Sequence, residues 1–178
     1  VIHRSLNLEL LAVRLRQETQ AAEEKSIQQI REKIALMEQV YVNFHALREG
    51  WWSEWRHGRV AFALEMTVPH VGEELSFYVA VPRRLVQAAE KLIQGIFPEA
   101  QIERSRDYNI FNPSGAAAGA AVMLGLNRFY PIRTYQKIES DPLRELTNVF
   151  TKLAREGEGA VLQIIARPAK TKWQKKLK

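Results

Sequence analysis

The sequence predicts an α+β domain: a ferredoxin-like β-α-β-β-α-β antiparallel sheet extended by a further β-α-β unit. Apolar residues recur at helical spacing in two long segments, and they alternate at strand spacing in two runs joined by a short glycine-containing turn. The segments follow one another as strand, helix, strand, strand, helix, strand. In such an order each helix can bury one stripe, and both helices can lie on the same face of one sheet.

The first strand is marked by Leu6, Leu8 and Leu10 alternating with Asn7 and Glu9. The phase then slips to Leu11, Val13 and Leu15, which predicts a bulge or twist near Leu10. Residues 16–24 are polar and lead into a helix over about Lys25 to Glu49. Its stripe, Ile27, Ile30, Ile34, Met37, Tyr41 and Phe44, advances by alternating steps of three and four, and Val40 and Leu47 widen it. The pattern is short for a coiled coil, so it predicts a helix laid on a sheet.

Gly50 ends that helix, and Trp51 to Gly58 is expected to form an aromatic loop. Val60, Phe62, Leu64, Met66 and Val68 then face one side of a strand, with Ala61, Glu65 and Thr67 on the other. After Pro69 and a turn at Val71 and Gly72, the residues Leu75, Phe77, Val79 and Val81 repeat the alternation, which reads as a β-hairpin. Pro82 opens a second helix, because its missing N–H would have no partner in a first turn. Leu85, Ala89, Leu92 and Ile96 form its inner face, Pro98 closes it, and Ala100 to Tyr108 is a fourth strand carrying Ile102.

Asn109 to Ala120 is a loop with Pro113, Gly115 and Gly119, followed by an expected strand from Ala121 to Asn127 that continues toward Thr134. Ser140, Asp141 and Pro142 begin a third helix, with Asp141 as N-cap and Pro142 in the first turn. Leu143, Leu146, Phe150 and Leu153 make its buried face, and Gly157 suits the residue after its end. Val161 to Ala166 is nearly all apolar, the pattern of a central strand covered on both faces. Residues 1–168 are thus one α+β domain, and residues 169–178 a basic linker or tail.

Of the 178 residues, 46% are apolar and 26% charged, which places the chain with ordinary globular proteins. It has no cysteine, which excludes disulfides, thiol nucleophiles and cysteine-based zinc sites and points to a reducing compartment. The longest apolar run, Ala116 to Leu126, falls well short of the roughly 20 residues of a membrane span. The first residue is Val1, and a segment upstream of it is expected.

The net charge of +6 has a definite location. Arg167, Lys170, Lys172, Lys175, Lys176 and Lys178 stand in the last twelve residues without an acid, so residues 1–166 balance to zero. The pI of 9.7 therefore belongs to the tail. Lysines at this density, with Trp173, suit a solvated linker capable of weak, non-specific contact with nucleic acid or anionic lipid.

The residues offer no catalytic constellation. No Gly-x-x-x-x-Gly-Lys-Ser/Thr run is present to cradle phosphates, and Gly157 and Gly159 give only a fragment of a Gly-x-Gly pattern placed after a helix. His3, His45, His57 and His70 are scattered without ligand spacing, and the adjacent Glu73 and Glu74 point to opposite faces of a strand. No serine sits in a nucleophile elbow. The expectation is a protein that is not an enzyme, with no catalytic residue, cofactor, metal or small-molecule substrate.

Trp51, Trp52 and Trp55 with Arg56 and Arg59 form the most suggestive cluster. Such tryptophans commonly cap the open end of a core; they also suit a protein contact, a membrane interface or base stacking. Arg83 and Arg84 stand in a first helical turn, where the macrodipole disfavours cations by a few tenths of a kcal/mol. They are either simply solvated or directed at an acidic partner.

Several segments together resemble the pre-motor, amino-terminal domain of bacterial conjugative-transfer or type IV secretion ATPases. They are Leu6 to Leu15 (LNLELLAVRL), Ser76 to Leu85 (SFYVAVPRRL), Asp107 to Phe111 (DYNIF), Tyr130 to Asn148 (YPIRTYQKIESDPLRELTN) and Glu158 to Pro168 (EGAVLQIIARP). The Asp141-Pro142-Leu143 helix start and the glycine-flanked last strand are the most specific pieces, whereas the Trp-rich loop and the short Gly/Ala stretch depart from the family pattern. The resemblance implies a membrane-associated assembly domain at the cytoplasmic face of the inner membrane. It implies an anchor upstream of residue 1, a P-loop motor downstream, and other subunits or domains of the machine as partners. The alternative is a free-standing ferredoxin-like nucleic-acid-binding module using its basic tail, although the strands lack the paired exposed aromatics that stack bases in such modules.

Overall fold

The structure is a computed structural model that describes residues 7–15, 27–47, 49–69, 74–123, 125, 144–153 and 157–168. Among the described residues five strands form one antiparallel sheet: β1 (Leu8–Arg14), β2 (Phe62–Val68), β3 (Ser76–Pro82), β4 (Gln101–Ser105) and β5 (Ala160–Ala166). Their order across the sheet is β4-β1-β3-β2-β5, so β3 lies between β1 and β2. The helices are α1 (Ile27–Ala46), α2 (Trp51–His57), α3 (Val86–Ile96) and α4 (Arg144–Phe150).

Helices α1 and α3 cover the same face of the sheet. Val40 and Phe44 of α1 and Val86, Ala89 and Ile93 of α3 are buried together with Leu11, Phe62, Val79 and Val81. Phe44 meets Phe62 edge-on, with ring centroids 4.7 Å apart. Each of these large side chains contributes about 1.5–3 kcal/mol by leaving water.

The inner stripe of α1 differs from the one its spacing predicts. Met37, Val40, Phe44 and Leu47 meet the core, whereas Ile34 is 40% exposed and Tyr41 lies at the margin. The described part of the helix before Met37 thus has its apolar Ile34 near water. The side chains of Ile27 and Ile30 lie outside what is described. In α3 the expected Ala89, Leu92 and Ile96 meet the core, joined by Val86 and Ile93, and a 3₁₀ turn at Arg83–Leu85 precedes the α-helix.

The expected bulge near Leu10 is absent. Leu8 to Ala12 pair with Pro82 to Tyr78 without a break, and Leu10 to Arg14 pair with Ser105 to Gln101 equally regularly. The change of phase arises because β1 is apolar on both faces: Leu11 and Val13 turn to the helices, and Leu8 and Leu10 line a cleft on the other side.

The hairpin of β2 and β3 forms, with Leu64 opposite Val79; its turn at Val71 and Gly72 lies outside the described residues. The two edges of the sheet contrast. β4 carries Glu103 and Arg104, which pair with Arg14 and Glu90 respectively, charges that discourage strand addition. β5 is not the covered central strand its composition predicts. Among the described strands it stands at the other edge, with Ile164 and Ile165 48% and 63% exposed.

Residues 121–123, expected to begin a strand, have no regular structure, and Val122 and Met123 are exposed. The rest of that expected strand, together with Asp141, Pro142 and the 169–178 tail, lies outside the described residues. Gly157 adopts a φ of 88°, but α4 ends at Phe150, so this glycine is not the residue that directly follows the helix. Among the described residues no helix is long and apolar enough to cross a membrane.

Candidate functional site

The expected aromatic loop is a helix. Residues 51–57 close one full turn and more, beginning with the Glu54 N–H bonded to the Gly50 carbonyl at 3.0 Å. Gly58 ends it with φ 82° and ψ 173°, while its N–H bonds the Glu54 carbonyl at 2.9 Å. A side chain rarely tolerates that backbone, so the stop depends on glycine.

No residue of α2 is buried. Trp51, Trp52 and Trp55 are 61%, 73% and 70% exposed, so of the alternatives the sequence leaves open, capping the core is not the one adopted. They lean on one another instead: the rings of Trp51 and Trp52 are 4.2 Å apart, and Trp55 meets Trp52 edge-on at 6.5 Å. Arg56 is exposed on the same short helix.

A charged clamp ties this helix to the body. Arg84 donates from Nε to Glu49 Oε1 at 2.8 Å and from Nη2 to Oε2 at 2.7 Å. Ser53 of α2 donates to Glu49 Oε2 at 2.6 Å, and its Oγ lies 3.3 Å from His57 Nδ1. The Arg84 hydrogen bonds hold the Glu49 carboxyl below the usual carboxylate range, against the opposing effect of burial, and Ser53 adds to the lowering. Arg83 pairs with Glu9 at 3.1 Å. Both arginines therefore find their acids within the chain. Lys170, Lys172, Lys175, Lys176 and Lys178 lie outside the described residues.

A second feature was not foreseen from the sequence. On the sheet face away from α1 and α3 lies a cleft of about 760 Å³, bounded by Leu8, Leu10, Ala80, Val161 and the segment after β4. Glu65 stands in it, 7% exposed. Tyr108 donates its hydroxyl to Glu65 Oε2 at 2.7 Å, and Gln163 donates from Nε2 to Oε1 at 2.6 Å. Tyr108 also stacks on Tyr78, with centroids 5.1 Å apart. Burial, then the bond to Glu65, pushes the Tyr108 phenol well above its ordinary range.

Strand alternation places Glu65 on the face away from the core, but its partners come from β5 and from the residues beyond β4. Those neighbours depend on strand order, for which the sequence has no local signal.

The fold and these surfaces define an α+β domain with an antiparallel five-stranded sheet, two helices on one face and an exposed tryptophan ridge beside them. The chain belongs to the family described as "Domain of unknown function (DUF8128)", which it matches over residues 11–178. No curated protein and no solved structure matches it.

Proposed function

We propose that this domain is a non-catalytic, membrane-proximal assembly domain of a bacterial type IV secretion or conjugation-like ATPase. It acts at the cytoplasmic face of the inner membrane through contacts with other subunits or domains of that machine. The carrying observation is the ridge of Trp51, Trp52 and Trp55, exposed on a helix that buries nothing of its own yet is fastened by Glu49 and Arg84. Three such rings offer on the order of a few hundred Å² of apolar surface, enough to mark an interaction site. Tryptophan and arginine are also the side chains enriched where binding energy concentrates in protein interfaces.

A ferredoxin-like core with β5 added at its edge is the finer fold assignment that accompanies this function. It is supported by the position of β3 between β1 and β2 and by a helix in each of the two crossovers.

The test is cross-linking in membranes of a longer chain that includes both flanking regions, comparing the native sequence with Trp51→Ala/Trp52→Ala. The double variant is expected to fold and to lose its cross-links to neighbouring subunits. Normal assembly by a folded double variant would overturn the proposal for this surface.

A further inference from the structure

We infer that the cleft under the 106–111 segment is a receptor site for a guanidinium group, with Glu65 as its anion and the Tyr108 ring as its stacking surface. This inference is independent of the tryptophan ridge.

The carboxylate of Glu65 is almost wholly removed from water, and its two hydrogen bonds come from neutral donors, a phenol and an amide. Among the described residues no lysine or arginine makes an ion pair with it. Two neutral donors satisfy part of this buried carboxyl group, and the attraction it would gain from a cation stays unrealised. Each oxygen accepts one hydrogen bond and has a second lone pair for another donor.

The surroundings select among cations. Glu9, Glu65 and Asp107 line the cleft against Arg83 and Arg106, so three acids face two bases and the net charge is −1. Arg83 is occupied by Glu9, and Glu65 is the most buried of the three acids, with no cationic partner among the described residues. A guanidinium fits better than an ammonium, because its planar fork can bond a carboxylate while its face lies on an aromatic ring. Leu8, Leu10 and Ile110 line the same cleft and suit the apolar stem that carries such a group. A volume of about 760 Å³ admits an arginine side chain with its neighbouring backbone.

The group can come from an arginine in a protein partner or from a free small molecule. The test is NMR titration of the full chain with N-acetyl-arginine methylamide, free arginine and N-acetyl-citrulline methylamide, following the Gln163 side-chain amide and the Tyr78 and Tyr108 rings. The blocked arginine is expected to saturate in the millimolar range, as suits one charged group in a small site, and the isosteric neutral citrulline to leave the signals unmoved. Glu65→Gln should weaken binding about tenfold or more. Tyr108→Phe keeps the ring and frees one carboxylate oxygen, so it should bind at least as tightly as the native chain; it serves as the second variant should Glu65→Gln fail to fold.

Tighter binding of the blocked arginine than of the free amino acid assigns the site to a protein side chain, and the reverse order to a small molecule. Equal responses to arginine and citrulline would overturn the proposal, as would unchanged affinity in a folded Glu65→Gln variant or the absence of saturable shifts.

Discussion

Arg84, in the 3₁₀ turn that opens α3, grips Glu49 with two parallel hydrogen bonds of 2.8 and 2.7 Å. Glu49 stands just ahead of α2 and also takes the Ser53 hydroxyl, so a single carboxylate fixes the approach of the tryptophan helix to the core. The sequence distance between the partners, 35 residues, is spanned by β2 and β3, which bring the start of α3 back to the end of α1.

Breaking this grip should loosen α2 without unfolding the sheet. Arg84→Met and Glu49→Gln are each expected to cost about 1 kcal/mol, a bidentate charge-assisted value discounted for solvent at the surface. A double-mutant cycle by chemical denaturation should return a coupling of at least about 0.5 kcal/mol. Additive single effects would mean that the two side chains do not act together.

The same pair sets an acid limb of stability. Because the folded-state pKa of Glu49 is lowered, its contribution is present above the unfolded value near 4.3 and is lost as pH falls through the folded one. Denaturation midpoints followed from pH 6 downward, a range chosen around that carboxylate value, should fall more gently in Glu49→Gln than in the native chain. Parallel profiles would contradict the assignment.

Tyr108 should act at the opposite end of the pH scale. Its raised pKa gives stability that is whole below the unfolded value of about 10 and drains away as pH rises through the folded value. Near-ultraviolet titration should show a tyrosine that ionises last, and Tyr108→Phe should remove that phase. Persistence of the late phase in the variant would assign it to another tyrosine, Tyr41 being the other one whose phenol is pushed up by burial.

The stripe of α1 separates core from margin by substitution. Phe44→Ala, at a fully buried position against Phe62, should cost about 3–5 kcal/mol. Ile34→Asp should cost under about 1 kcal/mol, because that side chain already meets water. Equal destabilisation by the two would place Ile34 within the core.

The stop of α2 provides the last prediction. Gly58→Ala is expected to cost about 1–3 kcal/mol, since φ 82° is a backbone that side chains resist. Gly50→Ala, at the N-cap but at φ −67° with open space around it, should cost less, about 0.5–1 kcal/mol. Thermal unfolding of both variants checks the contrast.

The local patterns that sequence expresses well are the ones the structure bears out. Alternation located β2 and β3 and assigned Phe62 and Leu64 to the core face, because period two leaves one choice of side. Helical spacing located α1 and α3 and placed Met37, Val40, Phe44, Leu47, Ala89, Leu92 and Ile96 against the core, but it misplaced Ile34 and Tyr41 and missed Val86 and Ile93. The sheet covers only part of a helix, and Ile34 extends past the covered part. The tryptophan cluster was legible as composition, but not its exposure. Whether three rings pack inward or outward depends on where α2 is tethered, and Glu49 and Arg84 are separated in sequence. The environment of Glu65 was not legible at all, since Tyr108 and Gln163 reach it from 43 and 98 residues away.

That last separation has a consequence for how the chain is made. β2 cannot complete its outer ladder until β5 exists, and at synthesis rates of roughly 5–20 residues per second the 98 residues between Glu65 and Gln163 take on the order of 5 to 20 s to appear. Through that interval the nascent sheet can assemble β1, β3 and β2 yet must hold an unpaired apolar flank. Closure of the β2–β5 ladder is therefore a late, long-range event, and the growing polypeptide is most vulnerable to aggregation just before β5 arrives.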